Sequence, residues 1–95
     1  MTVIVNGLAA TPHRRAFLRA VASSRSRIVR YHSTEEAWDQ VECRRVTTRL
    51  TEAFNAGWVE PVPDEDLWPG AEPRTRVTYF RLTEFGRAAL NGEAR

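Results

Sequence analysis

A helical segment that ends at a glycine and passes directly into a strand constrains the fold of this chain most. We predict a helix over about residues 42–56, because its apolar residues recur at the spacing of one buried face. The side chains predicted to form that face are Val46, Leu50, Ala53 and Phe54. Gly57 supplies the stop, since glycine readily adopts the left-handed conformation that ends helices. Residues 58–62 then predict a strand, and Pro61 indicates a sheet edge because proline lacks a ladder N–H.

The residues after this strand predict a hairpin and a final helix. Residues 63–75 hold three prolines, one glycine and four acids, a composition typical of a loop. Residues 76–82 alternate in polarity and are expected to return as the partner strand. The side chains predicted to share one face of that strand are Thr78, Phe80 and Leu82. Thr83 suits the N-cap of a helix that continues through residue 90.

The first third of the chain predicts a helix and a strand. Thr11 suits an N-cap, and Pro12 suits the first helical position, where its missing N–H costs nothing. This helix is expected to end near residue 23. Residues 27–32 are rich in β-branched and aromatic side chains and predict a strand. Residues 1–10 begin with a β-branched run closed by Asn-Gly, which is compatible with an additional strand or with a loosely docked arm.

Residues 34–40 allow two interpretations. Ser33 followed by Glu36 fits a capping box, which favours a short helix with Ala37, Trp38 and Val41 turned inward. The alternative is a hairpin with Trp38 on its returning strand. Either element would occupy the position of the first helix of a helix-turn-helix, and we favour the helix.

Composition indicates one small domain over residues 1–95, with 42% hydrophobic residues available for a core. No stretch approaches the roughly 20 apolar residues needed to span a bilayer, and we expect no signal peptide. A single cysteine, Cys43, excludes an internal disulfide, so a cytoplasmic protein is expected. Residues 1–49 hold nine arginines and four acids (net +5), and residues 50–95 hold five arginines and eight acids (net −3). This asymmetry favours an acidic partner for the front half.

The candidates for catalysis or metal binding are few. Cys43, His13 and His32 are the only nucleophile and base candidates at neutral pH, and they form no motif spacing or phosphate-binding glycine loop. We therefore expect no enzyme activity, no catalytic residues, no metal and no cofactor. Cys43 beside two arginines is compatible with a redox-sensitive thiol, although an ordinary helical cysteine explains it equally well.

The outward face of the predicted helix carries residues suited to DNA. At about 100° per residue, Arg44, Thr48 and Thr51 lie opposite the apolar face, with Arg45 and Thr47 flanking them. Arginine and threonine contact guanine edges, thymine methyls and phosphates. A solvated charged face is the alternative explanation.

From about residue 11 to residue 90, the chain resembles a winged helix-turn-helix protein. The sequences that carry the resemblance are Val46-Thr-Thr-Arg-Leu-Thr-Glu-Ala-Phe-Asn-Ala-Gly-Trp-Val and Tyr79-Phe-Arg-Leu-Thr-Glu-Phe-Gly-Arg-Ala-Ala-Leu90. They correspond to a recognition helix with the first wing strand, and to the second wing strand with the helix behind it. The resemblance is to the broad kind that includes the MarR- and PadR-type bacterial regulators. Within this kind, the sequence is more similar to the small arginine-rich winged-helix proteins of GC-rich bacterial chromosomes, plasmids and phages.

The resemblance implies an α+β fold, a single winged helix-turn-helix domain with a two- to three-stranded antiparallel wing. It implies a cytoplasmic, nucleoid-associated homodimer that binds double-stranded DNA as a transcriptional regulator or as a plasmid or phage accessory. The residues expected in the major groove are Arg44, Arg45, Thr47, Thr48 and Thr51. The residues expected against phosphates are Arg14, Arg15, Arg74 and Arg76.

One departure concerns the predicted wing. Asp64, Glu65 and Asp66 open it, and these acids would repel a phosphate. Either the wing swings away from DNA, or it binds a protein partner. Trp68 either folds back on the domain or anchors that partner, since tryptophan is enriched at interface hot spots. The alternative functions are therefore a protein-interaction module that uses this wing and a sequence-blind architectural DNA binder.

Overall fold

The computed structural model of the chain describes residues 2–23, 28–72 and 75–94. Its helices are α1 (Pro12–Ser23), α2 (Thr47–Asn55) and α3 (Glu84–Asn91). Its strands are β1 (Ile4–Val5), β2 (Leu8–Ala9), β3 (Ile28–Tyr31), β4 (Ala37–Asp39), β5 (Arg44–Arg45), β6 (Val59–Pro61) and β7 (Val77–Leu82). The α+β class is confirmed.

The N-terminal segment is a docked hairpin. Strands β1 and β2 pair antiparallel across an Asn6–Gly7 turn, in which both residues have positive φ, at 52° and 84°. Val5 is fully buried, and its carbonyl oxygen accepts a 3.0 Å hydrogen bond from the indole Nε1 of Trp58. The amide of Asn6 donates to the carbonyl of Ala56 at 2.6 Å. The additional strand is therefore confirmed, and it is fixed at the end of α2.

The remaining strands form one antiparallel sheet in the order β5-β4-β3-β7-β6. The predicted hairpin is confirmed, with Val59 opposite Leu82 and Pro61 opposite Phe80. Strand β6 lies at the edge, as Pro61 predicts. Thr83 caps α3 by accepting a hydrogen bond from the N–H of Gly86.

Two clusters of buried side chains lie on opposite faces of the sheet. The three helices pack on the inner face, where Leu18, Leu50 and Ala89 contribute to the larger cluster with Phe80. The outer face carries a smaller cluster, whose buried members are Val29, Val62, Val77 and Tyr79. Leu67 and Trp68 from the loop between β6 and β7 pack against it. The alternation predicted for β7 is thus confirmed, because its two faces serve two cores.

The helix predicted over residues 34–40 is wrong, and the hairpin alternative is confirmed. Strand β4 returns along β3 with Trp38 opposite Val29. Glu35 adopts a left-handed φ of 59°, which a helix could not contain. Pairing with β3 therefore overrides the local capping signal of Ser33 and Glu36.

The helix predicted over residues 42–56 begins only at Thr47. Arg44 and Arg45 form the edge strand β5 rather than a helical turn, so the prediction that they lie on the helix is wrong. The cause lies just upstream. The Oδ1 atom of Asp39 accepts hydrogen bonds from the N–H groups of Val41 and Glu42, both at 3.0 Å, and this turns the chain back on itself.

Three of the four side chains predicted to face inward from the helix are buried, and the fourth is not. Leu50 and Ala53 are buried, and Val46 is buried at the N-cap. Phe54, in contrast, is 44% exposed and touches Phe80 only edge-on. Of the four side chains, Phe54 points farthest from the mean direction of the others at 100° per residue.

Candidate nucleic-acid interface

An open depression of about 470 Å³ lies along the β5 edge, between the start of α1 and the start of α2. Its polar lining residues are His13, Arg44, Arg45, Thr47, Thr48 and Arg49. A second depression continues from it, shares Arg44, and adds Arg19, Ser23 and Glu42. We call the two together the arginine groove, defined by the basic side chains of His13, Arg19, Arg44, Arg45 and Arg49.

The arginines of the groove differ in their ion pairs. Arg45 pairs with Glu36 at 3.1 Å, and Arg49 pairs with Glu52 at 2.7 Å. Arg19 and Arg44 are exposed and make no side-chain hydrogen bond or ion pair with the described residues. Exposed ion pairs contribute little stability, so a phosphate can replace Glu36 on Arg45 at small cost. The groove therefore offers at least two uncommitted guanidinium groups and one that is easily released.

The N-terminus of α2 opens into the same groove. Its N-cap residue is Val46, which has no side chain able to accept a hydrogen bond from the first turn. The Oγ1 atom of Thr47 is already engaged, because it accepts the N–H of Ala37 at 3.0 Å. The backbone N–H groups of this turn and the positive end of the helix dipole thus add to the arginine charges.

Arg14 and Arg15 lie outside this groove. Arg14 is half-buried and donates to Glu52 at 2.8 Å and to the carbonyl of Ala9 at 3.0 Å. An Nη atom of Arg15 lies beside Gly92, which caps the C-terminus of α3. Arg14 therefore holds α1 against α2 and β2, and Arg15 lies against the end of α3. We leave both out of the proposed interface.

The hydrogen bond from Arg14 is the main cause of a lowered pKa of Glu52, and the bond from Arg49 adds to it. The pKa of Arg14 is raised by the same bond. Glu52 thus stays ionised and bridges α1 to α2, which fixes one wall of the groove.

The other predicted contact residues are dispersed. Thr48 lines the groove, whereas Thr51 is exposed on α2 beyond it. Arg76 is exposed and borders a separate depression beside Tyr31. Arg74 lies outside the described residues.

The loop between β6 and β7 folds back on the outer face of the sheet. The rings of Trp68 and Tyr79 lie 4.7 Å apart between centroids. Asp66 accepts a 2.7 Å hydrogen bond from Arg81, which also binds Glu60 at 2.9 Å. Hydrogen bonds from Arg81, first to Asp66 and then to Glu60, raise its pKa. Trp68 therefore packs on its own domain, and at least one of the three acids, Asp66, forms an ion pair within the domain.

The side chains considered for catalysis or metal binding lie in three different places. Cys43 is exposed in the turn before β5, His13 borders the groove, and the ring of His32 bonds to Thr78 at 2.7 Å. Within residues 2–23, 28–72 and 75–94, no group of three metal-binding side chains comes together.

Sequence reasoning missed Arg19 and His13 as neighbours of Arg44. Their proximity arises only because β5 turns back beside α1, and no local pattern encodes that contact. It also missed the position of Trp38 opposite Arg45, because Arg45 was expected on a helix rather than on strand β5.

Comparison with protein-family models, with curated proteins and with solved structures found no match for this chain. None of the helices in the described part of the chain is both long and apolar enough to cross a membrane.

Proposed function

We propose that this protein is a non-enzymatic, double-stranded DNA-binding protein that uses the arginine groove as its contact surface. The observation that carries the proposal is that Arg44, Arg45 and Thr48, selected for DNA contact from the sequence, line one groove with Arg49. His13 and Arg19 from α1 extend the groove with further donors. Such a concentration of guanidinium groups suits the phosphate backbone, which supplies most of the affinity of DNA-binding proteins.

The proposed contacts divide into two kinds. Arg19, Arg44 and the open N-terminus of α2 suit phosphates, since they present unpaired cationic or N–H donors. Arg45 joins this first kind once a phosphate replaces Glu36. Thr48 suits a base edge in the major groove, because threonine approaches the thymine methyl, and Thr51 is left out because it lies beyond the groove. In this proposal Arg44 and Arg45 reach DNA from a strand edge, and α2 follows them.

We also propose the finer fold class, a variant winged helix in which the β4–β5 hairpin stands in place of the first helix of the helix-turn-helix. The antiparallel pairing of β6 with β7 and the capped α3 behind them support it. A regulator that binds as a homodimer in the cytoplasm fits this class, because a nine-residue α2 makes few base contacts alone.

The protein-interaction alternative is the weaker candidate. It required an exposed Trp68, and the contact of Trp68 with Tyr79 uses part of that side chain inside the domain. The ion pair of Asp66 with Arg81 also lowers the repulsion that the acidic loop would exert on DNA.

The test is a fluorescence-anisotropy titration of a labelled random-sequence duplex at low salt. We compare Arg44→Glu in the groove with Arg87→Glu on α3, because both reverse one exposed arginine and change the net charge equally. The proposal predicts a loss of binding of at least about tenfold for Arg44→Glu and a much smaller loss for Arg87→Glu. Absence of binding by the unmodified protein would overturn the proposal, as would equal losses in the two variants.

A further inference from the structure

Trp38 belongs to neither core cluster of the domain. It lies half-buried on β4, directly opposite Val29 on one side and Arg45 on the other. These pairings put Trp38 on the outer face of the sheet, where the smaller core lies, yet Trp38 is not among the residues packed against that core. Its indole N–H makes no hydrogen bond with the described residues. A large aromatic ring is thus left partly uncovered at one end of the sheet.

The rest of the outer face is covered. The loop between β6 and β7 lays Leu67 and Trp68 over the part of the sheet formed by β3 and β7. Trp68 itself packs on Tyr79 of β7. In the described part of the chain, the outer cluster and the residues packed against it include none from β4 or β5. That end of the sheet also borders the arginine groove.

The surroundings of Trp38 are polar and charged. The side chain of Arg45 is 63% exposed and pairs with Glu36. Tyr31 also lies on this face, and its hydroxyl accepts a 3.2 Å hydrogen bond from the amide of Gln40. A protein hot spot lies within surrounding contacts that exclude water, whereas the Arg45 side chain beside Trp38 is largely exposed. An aromatic ring beside an arginine suits instead a nucleobase, which stacks on the ring while the cation meets the phosphate.

We propose that Trp38 and Arg45 form a stacking site for an unpaired nucleobase of a strand whose duplex portion lies in the arginine groove. The inference rests on the proposed DNA-binding function and extends it to duplexes with a single-stranded end or a distorted step. Arg45 is the connecting residue, because it lines the groove and also lies opposite Trp38. A strand that leaves the groove past Arg45 would meet the indole ring next.

The experiment compares four labelled nucleic acids: a blunt duplex, the same duplex with a five-nucleotide overhang, and the overhang strand alone as DNA and as RNA. The full chain should bind the overhang duplex about five- to 150-fold more tightly than the blunt one, the range that corresponds to stacking of one base. Trp38→Leu should remove this gain while leaving blunt-duplex affinity and the thermal melt unchanged. Trp38→Phe should keep part of the gain, and Glu36→Gln should increase it by releasing Arg45.

The control variant is Phe85→Leu, which removes an aromatic side chain that is 40% exposed on α3. It should leave the gain from the overhang intact. If the isolated strand binds through Trp38 as DNA and not as RNA, or the reverse, the comparison of the two strands identifies the kind of strand that the site accepts.

Three results would overturn the stacking site. A fourth result would instead overturn the proposed duplex binding, so the two failures can be distinguished. Equal affinity for blunt and overhang duplexes would reject the stacking site and leave duplex binding standing. If Trp38→Leu lowered the affinity for both duplexes equally, the stacking site would also be rejected. If Trp38→Leu instead abolished self-association in sedimentation, a second copy of the chain would be the occupant. Binding of single strands through Trp38 without any duplex binding would reject the proposed function and keep the stacking site.

Discussion

A few residues at one junction hold the end of α2 against the start of α3. The left-handed Gly57 ends α2, and its carbonyl oxygen accepts a hydrogen bond from the hydroxyl of Thr83. The N–H of Thr83 donates in turn to the carbonyl of Trp58 at 3.0 Å. Gly86 then packs against that same carbonyl, since a Cβ atom added to Gly86 would overlap its oxygen. Glycine is required here for close approach, although Gly86 is helical.

Substitution of Gly86 tests this junction, because two effects of opposite sign compete. Helix propensity alone predicts that Gly86→Ala stabilises α3 by about 1 kcal/mol. Overlap with a backbone oxygen costs typically about 1–3 kcal/mol or more, because the backbone must move. Because the overlap is with a backbone atom, we expect the upper part of that range, and so a net loss of about 1–2 kcal/mol in chemical denaturation. Asn91→Ala, at an exposed position of α3, should change stability little, and stabilisation by Gly86→Ala would contradict the packing described.

Glu52 gives stability a pH dependence. Because hydrogen bonds from Arg14 and Arg49 lower its pKa in the folded state, the carboxylate stabilises folding above the ordinary pKa of a glutamate, about 4.3. This contribution disappears as pH falls through the lowered folded pKa. Glu52→Gln should therefore cost about 1 kcal/mol or less at pH 7 and almost nothing near pH 2. Denaturation curves at both pH values check this, and a difference between the two proteins that is independent of pH would contradict it.

At the scale of elements, the sequence predicts those whose signals are local. Thr11, Pro12 and Thr83 mark helix starts, and Gly57 marks a stop, because caps act within a single turn. The alternation of residues 76–82 likewise fixes the two faces of β7. All of these predictions are confirmed in position or to within about two residues.

The elements that the sequence mispredicts are those decided by distant partners. Residues 34–45 carry a helical capping signal, but β3 offers them a strand to pair with, and the turn at Asp39 lets β5 follow. The arginine groove exists only because residues 44–45 form strand β5 instead of the start of a helix. The sequence therefore identifies Arg44 and Arg45 as candidate contact residues but does not predict which side chains lie beside them. The proximity of Arg19 could not be predicted for the same reason.

The register of α2 is tested by two side chains from its predicted apolar face. Leu50 is fully buried, so Leu50→Ala should cost about 2–5 kcal/mol. Phe54 is 44% exposed, so Phe54→Ala should cost clearly less, even though a larger side chain is removed. Thermal and chemical denaturation compare the two. A larger loss for Phe54→Ala would mean that α2 is rotated relative to the structure described.

At the scale of the whole molecule, the sheet separates the two hydrophobic cores of the domain. Helices cover its inner face, the loop that carries Trp68 covers part of the outer face, and its two edges differ in chemistry. Strand β6 ends in Pro61, which discourages further pairing. Strand β5 carries Arg44 and Arg45, whose like charges oppose edge-to-edge association of two copies. The basic edge is thus suited to an anionic polymer.

The salt dependence of duplex DNA binding tests the central proposal most directly. Each neutralised phosphate contributes about 0.9 to the slope of log K against log salt concentration. With four arginines in the groove, we expect a steep slope for the unmodified protein, lowered by about one in Arg44→Ala and unchanged in Arg87→Ala. A slope near zero, or equal slopes in the two variants, would contradict the proposal that the arginine groove binds DNA.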